Sequence, residues 1–151
     1  MVSQERACVF GEIIDGVMHL NDMGRIVQNE WLHTSKVRPN IELDEFVVMP
    51  NHIHGIIVIH ACEHTDEQKG SHNKPVEKFG KPTTNSIPTV MRLFKATTTK
   101  QINDAMNNRG AKIWQRNYYE HIIRNQQSFE TISNYILNNP AKWDNDKLNR
   151  E

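Results

Sequence analysis

The stretch Phe46–Ile59, FVVMPNHIHGIIVI, decides how the rest of the chain is read. Two β-rich runs, Phe46–Met49 and Ile56–Ile59, flank a Pro-Asn turn and the triplet His52-Ile53-His54. Side chains alternate faces along a strand, so His52 and His54 point one way and Ile53 the other. Two imidazoles one pleat apart can hold one divalent metal through their ring nitrogens. Ile56 and Val58 continue the histidine side, and Ile57 and Ile59 the opposite side, the pattern of a central strand covered on both faces. Taken alone, a His-x-His pair is somewhat more often a pair of histidines satisfied at a strand end. The rest of the chain gives it company.

Working back toward the N-terminus, Ala7–Ile14 and Val17–Leu20 are strand-like runs joined by Asp15-Gly16, a two-residue hairpin signal. Asn21-Asp22 precede a helical stretch over roughly Met23–Val37, in which Ile26, Val27 and Trp31 recur at core-facing spacing and which Pro39 ends. Beyond Ile59 the character changes. Residues 61–86 are polar, carry Gly70, Pro75, Gly80 and Pro82, and read as a flexible excursion between core elements. His64 and His72 fall in it without periodicity or acidic company, so they read as solvated loop residues.

A second helix is expected over Ile87–Asn107, with Pro88 in its first turn and Val90, Leu93, Phe94 and Ile102 as the core stripe. Its Arg92, Lys95 and Lys100 form the solvent or DNA side. Ala111–Gln115 is a short strand candidate. Trp114–Asn125, WQRNYYEHIIRN, is aromatic and basic together, and Trp114, Tyr118 and Tyr119 could stack on unpaired bases beside Arg116. Ser128 is the N-cap candidate of a third helix reaching Asn139 and stopped by Pro140. In that helix Tyr135 and Asn139 are four apart and share a face.

The chain of 151 residues is read as one domain, 1–151, with enough length for a real core. Hydrophobic residues at 37% and charged residues at 24% describe a polar globular chain. The sequence has no run of about 18 apolar residues and no signal-like N-terminus, so a cytoplasmic protein with no membrane partner is expected. Two cysteines, Cys8 and Cys62, make neither a disulfide framework nor a thiolate zinc site. Net charge is zero, yet from Pro88 to Asn125 the cations Arg92, Lys95, Lys100, Arg109, Lys112, Arg116 and Arg124 face only Asp104 and Glu120. A neutral average thus hides a basic segment able to neutralise phosphates.

Three motifs in series, Met49-Pro50-Asn51-His52-Ile53-His54, Trp114-Gln115 with Glu120-His121, and Tyr135-Ile136-Leu137-Asn138-Asn139-Pro140, resemble those of the small bacterial single-tyrosine HUH transposases, especially the REP-associated tyrosine transposases. The resemblance implies an α+β, ferredoxin-like fold: an antiparallel sheet carrying the histidines, with helices packed on one face. It implies a DNA strand transferase that cleaves and rejoins single-stranded DNA at hairpin-bearing element ends, with a homodimer as its assembly. His52 and His54 match the pair that binds Mg2+ or Mn2+, Asn139 stands where relatives carry a polar third ligand, and Tyr135 matches the nucleophile. Glu120 and His121 are expected close behind the metal. Relatives have a further strand before the stretch matching Glu5–Ile14, whereas only Met1–Gln4 precede it here, so the first strand is expected to be shortened or missing.

The residue types suit that chemistry. A phenol ionises near pH ~10 and needs help to attack at neutral pH. A divalent ion on the scissile phosphate neutralises charge and orients the ester. Attack by Tyr135 would give a 5′-phosphotyrosine linkage and a free 3′-OH. Two other readings use the same residues: a metal-dependent hydrolase built on His52 and His54 with a water nucleophile, and a truncated or domesticated non-catalytic protein that binds hairpin DNA through its basic helix.

Overall fold

The computed structural model describes residues 1–60 and 86–149; the polar segment of residues 61–85, with His64 and His72, lies outside them. The Asp-Gly hairpin forms as expected. Strands β1 (Gly11–Ile14) and β2 (Val17–Leu20) pair antiparallel with Ile14 opposite Val17. Asp15 and Gly16 both take positive φ, 50° and 74°, as a two-residue turn of this hand requires. Helix α1 spans Asp22–Lys36, one residue earlier than the periodicity suggests. Asn21 sets that boundary: its side chain accepts the Gly24 N–H at 3.0 Å while its amide donates to the Val9 carbonyl at 3.0 Å.

The deciding stretch becomes the hairpin of β3 (Ile41–Val48) and β4 (Ile53–Ile59), with Val48 opposite Ile53 and Val47 opposite His54. An irregularity between Leu43 and Phe46 keeps Ile41, Leu43, Phe46 and Val48 in the core despite the extra residue. The expected shortening of the first strand takes a definite form. Met1–Ser3 are extended and paired on both edges: Ile53 N–H donates to Met1 O and Ser3 N–H to Asn51 O, both at 2.8 Å. On the other side Gln4 N–H donates to Ile113 O at 2.7 Å and Gln115 N–H to Val2 O at 3.0 Å. Both pairings are antiparallel, Val2 with His52 and Ser3 with Trp114. The strand is short but central, and it joins β4 to the segment Ile113–Gln115.

With α2 (Ile87–Ala105) the order, apart from the inserted β1–β2 hairpin, is strand, α1, β3, β4, α2, strand, arranged in space as β3, β4, Met1–Ser3, Ile113–Gln115. This is the α+β arrangement of a ferredoxin-like sheet. Ile53, Gly55 and Ile57 face α1 and α2, whose Val27, Trp31, Val90, Phe94 and Ile102 complete the main core. Gly55 is needed there, since a Cβ would stand 2.4 Å from Trp31 Cζ2.

Helix α3, Gln126–Leu137, departs from the picture of helices on one face. The two helices of the ferredoxin-like unit share a face, but α3 lies on the other, where His54 and Tyr135 meet. Its N-cap is Asn125, whose side chain accepts the Ser128 N–H at 2.8 Å, so the helix begins before the expected Ser128 cap. It also ends at Leu137. Asn139 starts the following 3-10 turn, Pro140–Asn145, with helical φ and ψ of −60° and −44°. The tip of the first hairpin braces this turn, Gly16 lying against Ala141. Among the described residues no helix is long and apolar enough to cross a membrane.

Candidate active site

His52 and His54 leave the same side of the strand, and their rings meet edge to face with centroids 4.7 Å apart. The Tyr135 ring lies 5.4 Å from that of His54, and the Trp143 ring 6.0 Å from that of His52. His52 is fully buried and His54 partly so. Asn139 is buried as well, at 2% exposure, held by its backbone N–H on Ile136 O at 3.2 Å. Tyr135, at 47% exposure, keeps its ring accessible from solvent. A buried pair of imidazoles thus lies beside a solvent-accessible phenol.

The electrostatics keep both imidazoles neutral. Burial, then the charge of His54 and that of the N-terminal amino group, lowers His52 to about 3, with a contact from Asn139 pushing the other way. Burial and the N-terminal amino group lower His54 to about 4, opposed by the carboxylate of Asp146. Neutral imidazole is the form that binds metals. Three buried atoms here make no hydrogen bond of good geometry: His52 Nε2, His54 Nε2 and Asn139 Oδ1, although the Asn139 side chain lies close enough to His52 to favour its charged form. Leaving buried polar atoms unpaired is costly. Two imidazole nitrogens and an amide oxygen fit a divalent cation, which would satisfy all three. Among the described residues no three His, Cys, Asp or Glu side chains gather into a metal-holding group, here or elsewhere.

The other residues singled out in the sequence are distributed differently. Glu120 and His121 are exposed on the coil before α3. Glu120 acts on Tyr118, whose phenol is pushed up by burial and then by the Glu120 charge and hydrogen bond. Neither Glu120 nor His121 is among the groups that perturb His52 and His54. Trp114 is a core residue rather than a base-stacking platform. It is 7% exposed, packs on Phe10 and Phe94 with centroids at 4.9 and 5.9 Å, and donates from Nε1 to Thr98 Oγ1 at 2.9 Å. Tyr118 packs at the edge of that core under Lys95, and Tyr119 alone of the three aromatics is open, at 87% exposure.

Lys95 also departs from its expected role. Its Nζ donates to the carbonyls of Gln115, Arg116 and Asn117 at 2.9, 3.2 and 3.2 Å, tying down the chain after the edge strand. Burial lowers its pKa. Arg92, Lys100 and Arg116 remain exposed, the first two on α2, across the sheet from the histidines. Two residues near the site carry no site role in the sequence reading. Asn51 was hidden because Pro-Asn between strands reads as turn chemistry. Trp143 sits past Pro140 in a segment without periodicity.

Residues 79–139 match the family described as "Transposase IS200 like". An uncharacterized protein of Haemophilus influenzae is 40% identical over 150 residues, covering 96% of this chain and 79% of the relative. No solved structure matches the chain. The chain belongs to the IS200-like transposase family. The relative carries no description of its own activity, so what this member does rests on its residues.

Proposed function

We propose that the chain is a metal-dependent transposase of single-stranded DNA, which cleaves and rejoins strands at hairpin-bearing ends through a 5′-phosphotyrosine intermediate. The observation that carries this reading is the meeting of the Tyr135 ring, 5.4 Å from that of His54, with the three unpartnered donor atoms of His52, His54 and Asn139. His52, His54 and Asn139 would hold Mg2+ or Mn2+. When bound, the ion neutralises phosphate charge and orients the scissile ester. Tyr135 Oη then forms a bond to phosphorus as the bond from phosphorus to the 3′ oxygen breaks. The phenolic proton passes to solvent, and the departing 3′ oxygen takes one up. Because the phosphodiester is exchanged rather than hydrolysed, attack by a 3′-OH on the phosphotyrosine reseals a strand without a nucleotide cofactor.

Position supports Tyr135 over its neighbours as nucleophile. It is held on a helix anchored by the buried Ile136, whereas Tyr118 is engaged with Lys95 and Glu120 and Tyr119 projects from coil. A nucleophile on a rigid element holds near-attack geometry better than one on a loop.

The test is incubation with hairpin-bearing single-stranded DNA and Mg2+, followed by denaturing electrophoresis. Wild type should give a protein–DNA band that survives denaturation and carries the fragment on the 3′ side of the cut. Tyr135→Phe should give none while still binding DNA. A band that persists in Tyr135→Phe but disappears in Tyr119→Phe would remove the assignment. Cleavage without any covalent band would favour a water nucleophile.

A further inference from the structure

Asn51 is fully buried, and its side-chain amide is saturated by groups from three parts of the chain. Nδ2 donates to the carbonyl of Arg6 at 3.1 Å and to that of Leu148 at 2.7 Å. Oδ1 lies 2.7 Å from His52 Nδ1. The two carbonyls can only accept, so they decide which end of the amide faces them. The nitrogen must point toward Arg6 and Leu148, and the oxygen is left for His52. An amide oxygen cannot donate, so His52 Nδ1 has to carry the proton. In a neutral imidazole that leaves Nε2 with a bare lone pair, and Nε2 is the buried atom without a partner.

From this geometry we infer that Asn51 is the positioning residue of the site: clamped by the Arg6 and Leu148 carbonyls, it locks His52 in the Nδ1–H tautomer and aims its Nε2 lone pair at the metal position. The inference rests on the reading of His52 as a metal ligand. Partners on the far nitrogen of a ligating histidine commonly fix its tautomer and raise its basicity. Here the partner is oriented by backbone at both ends of the chain. Arg6 Nη1 adds a bond to Lys147 O at 3.3 Å, and Asn149 Nδ2 one to Trp143 O at 3.1 Å, so the segment that carries Trp143 is drawn to the same clamp. The reach of the clamp is non-local: Asn51 and Leu148 are 97 positions apart.

The first measurement needs no DNA. A long-range proton–nitrogen NMR spectrum of the nitrogen-15-labelled full chain, metal-free at neutral pH, reports each histidine's tautomer. His52, assigned by its loss in His52→Gln, should be in the Nδ1–H form. An Nε2–H form in wild type overturns the inference. Two variants then separate positioning from folding. Asn51→Ala removes the acceptor, and Mn2+ affinity should weaken about 10–100-fold. Asn51→Asp keeps an oxygen opposite Nδ1 but loses both donors, so it should unfold more readily while holding the tautomer and the Mn2+ affinity. If Asn51→Asp loses the tautomer and the affinity together with stability, the role is structural only and the inference fails. Failure to form a covalent DNA band with the tautomer and Mn2+ binding intact would instead count against the transposase reading.

Discussion

Acid should unfold this protein through both buried histidines, and the share of His52 follows from its burial. In the folded chain His52 is lowered from 6.5 to about 3, because a charged imidazole would lose its water beside His54 and the N-terminal amino group. As pH falls through 6.5 the unfolded chain takes up a proton at this position and the folded chain does not. The unfolded state then binds more protons, so stability rises with pH across this window and is lost as pH falls toward the folded value. One proton corresponds to about 1.4 kcal/mol per pH unit, and between pH ~6.5 and ~5 the loss accumulates to about 2 kcal/mol. Urea unfolding followed by the fluorescence of Trp31, Trp114 and Trp143 measures it at a series of pH values. His52→Gln removes the titrating group, so its stability should fall less steeply over the same range, by the same about 2 kcal/mol. Parallel pH dependences for wild type and His52→Gln would refute the reasoning, because they would mean that His52 titrates alike folded and unfolded. Mn2+ extends the test. At 100 times its Kd it should stabilise wild type by about 2.7 kcal/mol near neutral pH. Chelation should reverse that gain, which should be much smaller in His52→Gln.

Other expectations follow from the packing and the charges. Gly55→Ala brings a Cβ to 2.4 Å from Trp31 Cζ2 and should lower stability by about 1–3 kcal/mol in urea unfolding; a neutral result would show that Trp31 can move off β4. Trp114→Ala empties a core position and should cost about 3–5 kcal/mol, read in the same assay; weakened DNA binding with unchanged stability would restore its role as a stacking platform. The triple variant Arg92→Ala, Lys100→Ala, Arg116→Ala should flatten the salt dependence of single-strand binding by up to about 2 units of slope. Lys95→Ala should leave that slope nearly unchanged, because its ammonium serves three carbonyls; an equal slope change would put Lys95 on the DNA.

Much of this arrangement is legible without coordinates. Apolar residues at helical spacing locate α1 and α2, Asp15-Gly16 locates the first hairpin, and the alternation of a strand puts His52 and His54 on one side with Ile53 turned into the core. These features depend on neighbours within a turn or a pleat, so composition and period carry them. Partners distant in sequence are another matter. Met1–Ser3 become a central strand only because β4 and Ile113–Gln115 arrive on either side, and three residues have no period to announce it. Trp114 and Lys95 look like DNA contacts in a basic, aromatic segment, yet the core claims the indole and three carbonyls claim the ammonium. Placing α3 on the histidine face, across the sheet from α1 and α2, is likewise a tertiary outcome, and it is what brings Tyr135 to His54. Asn51 is the clearest case. Its residue type and position suggest a turn, while its effect on His52 comes from Arg6 and Leu148. An amide's orientation is decided by the groups that surround it in space, and no local pattern encodes them.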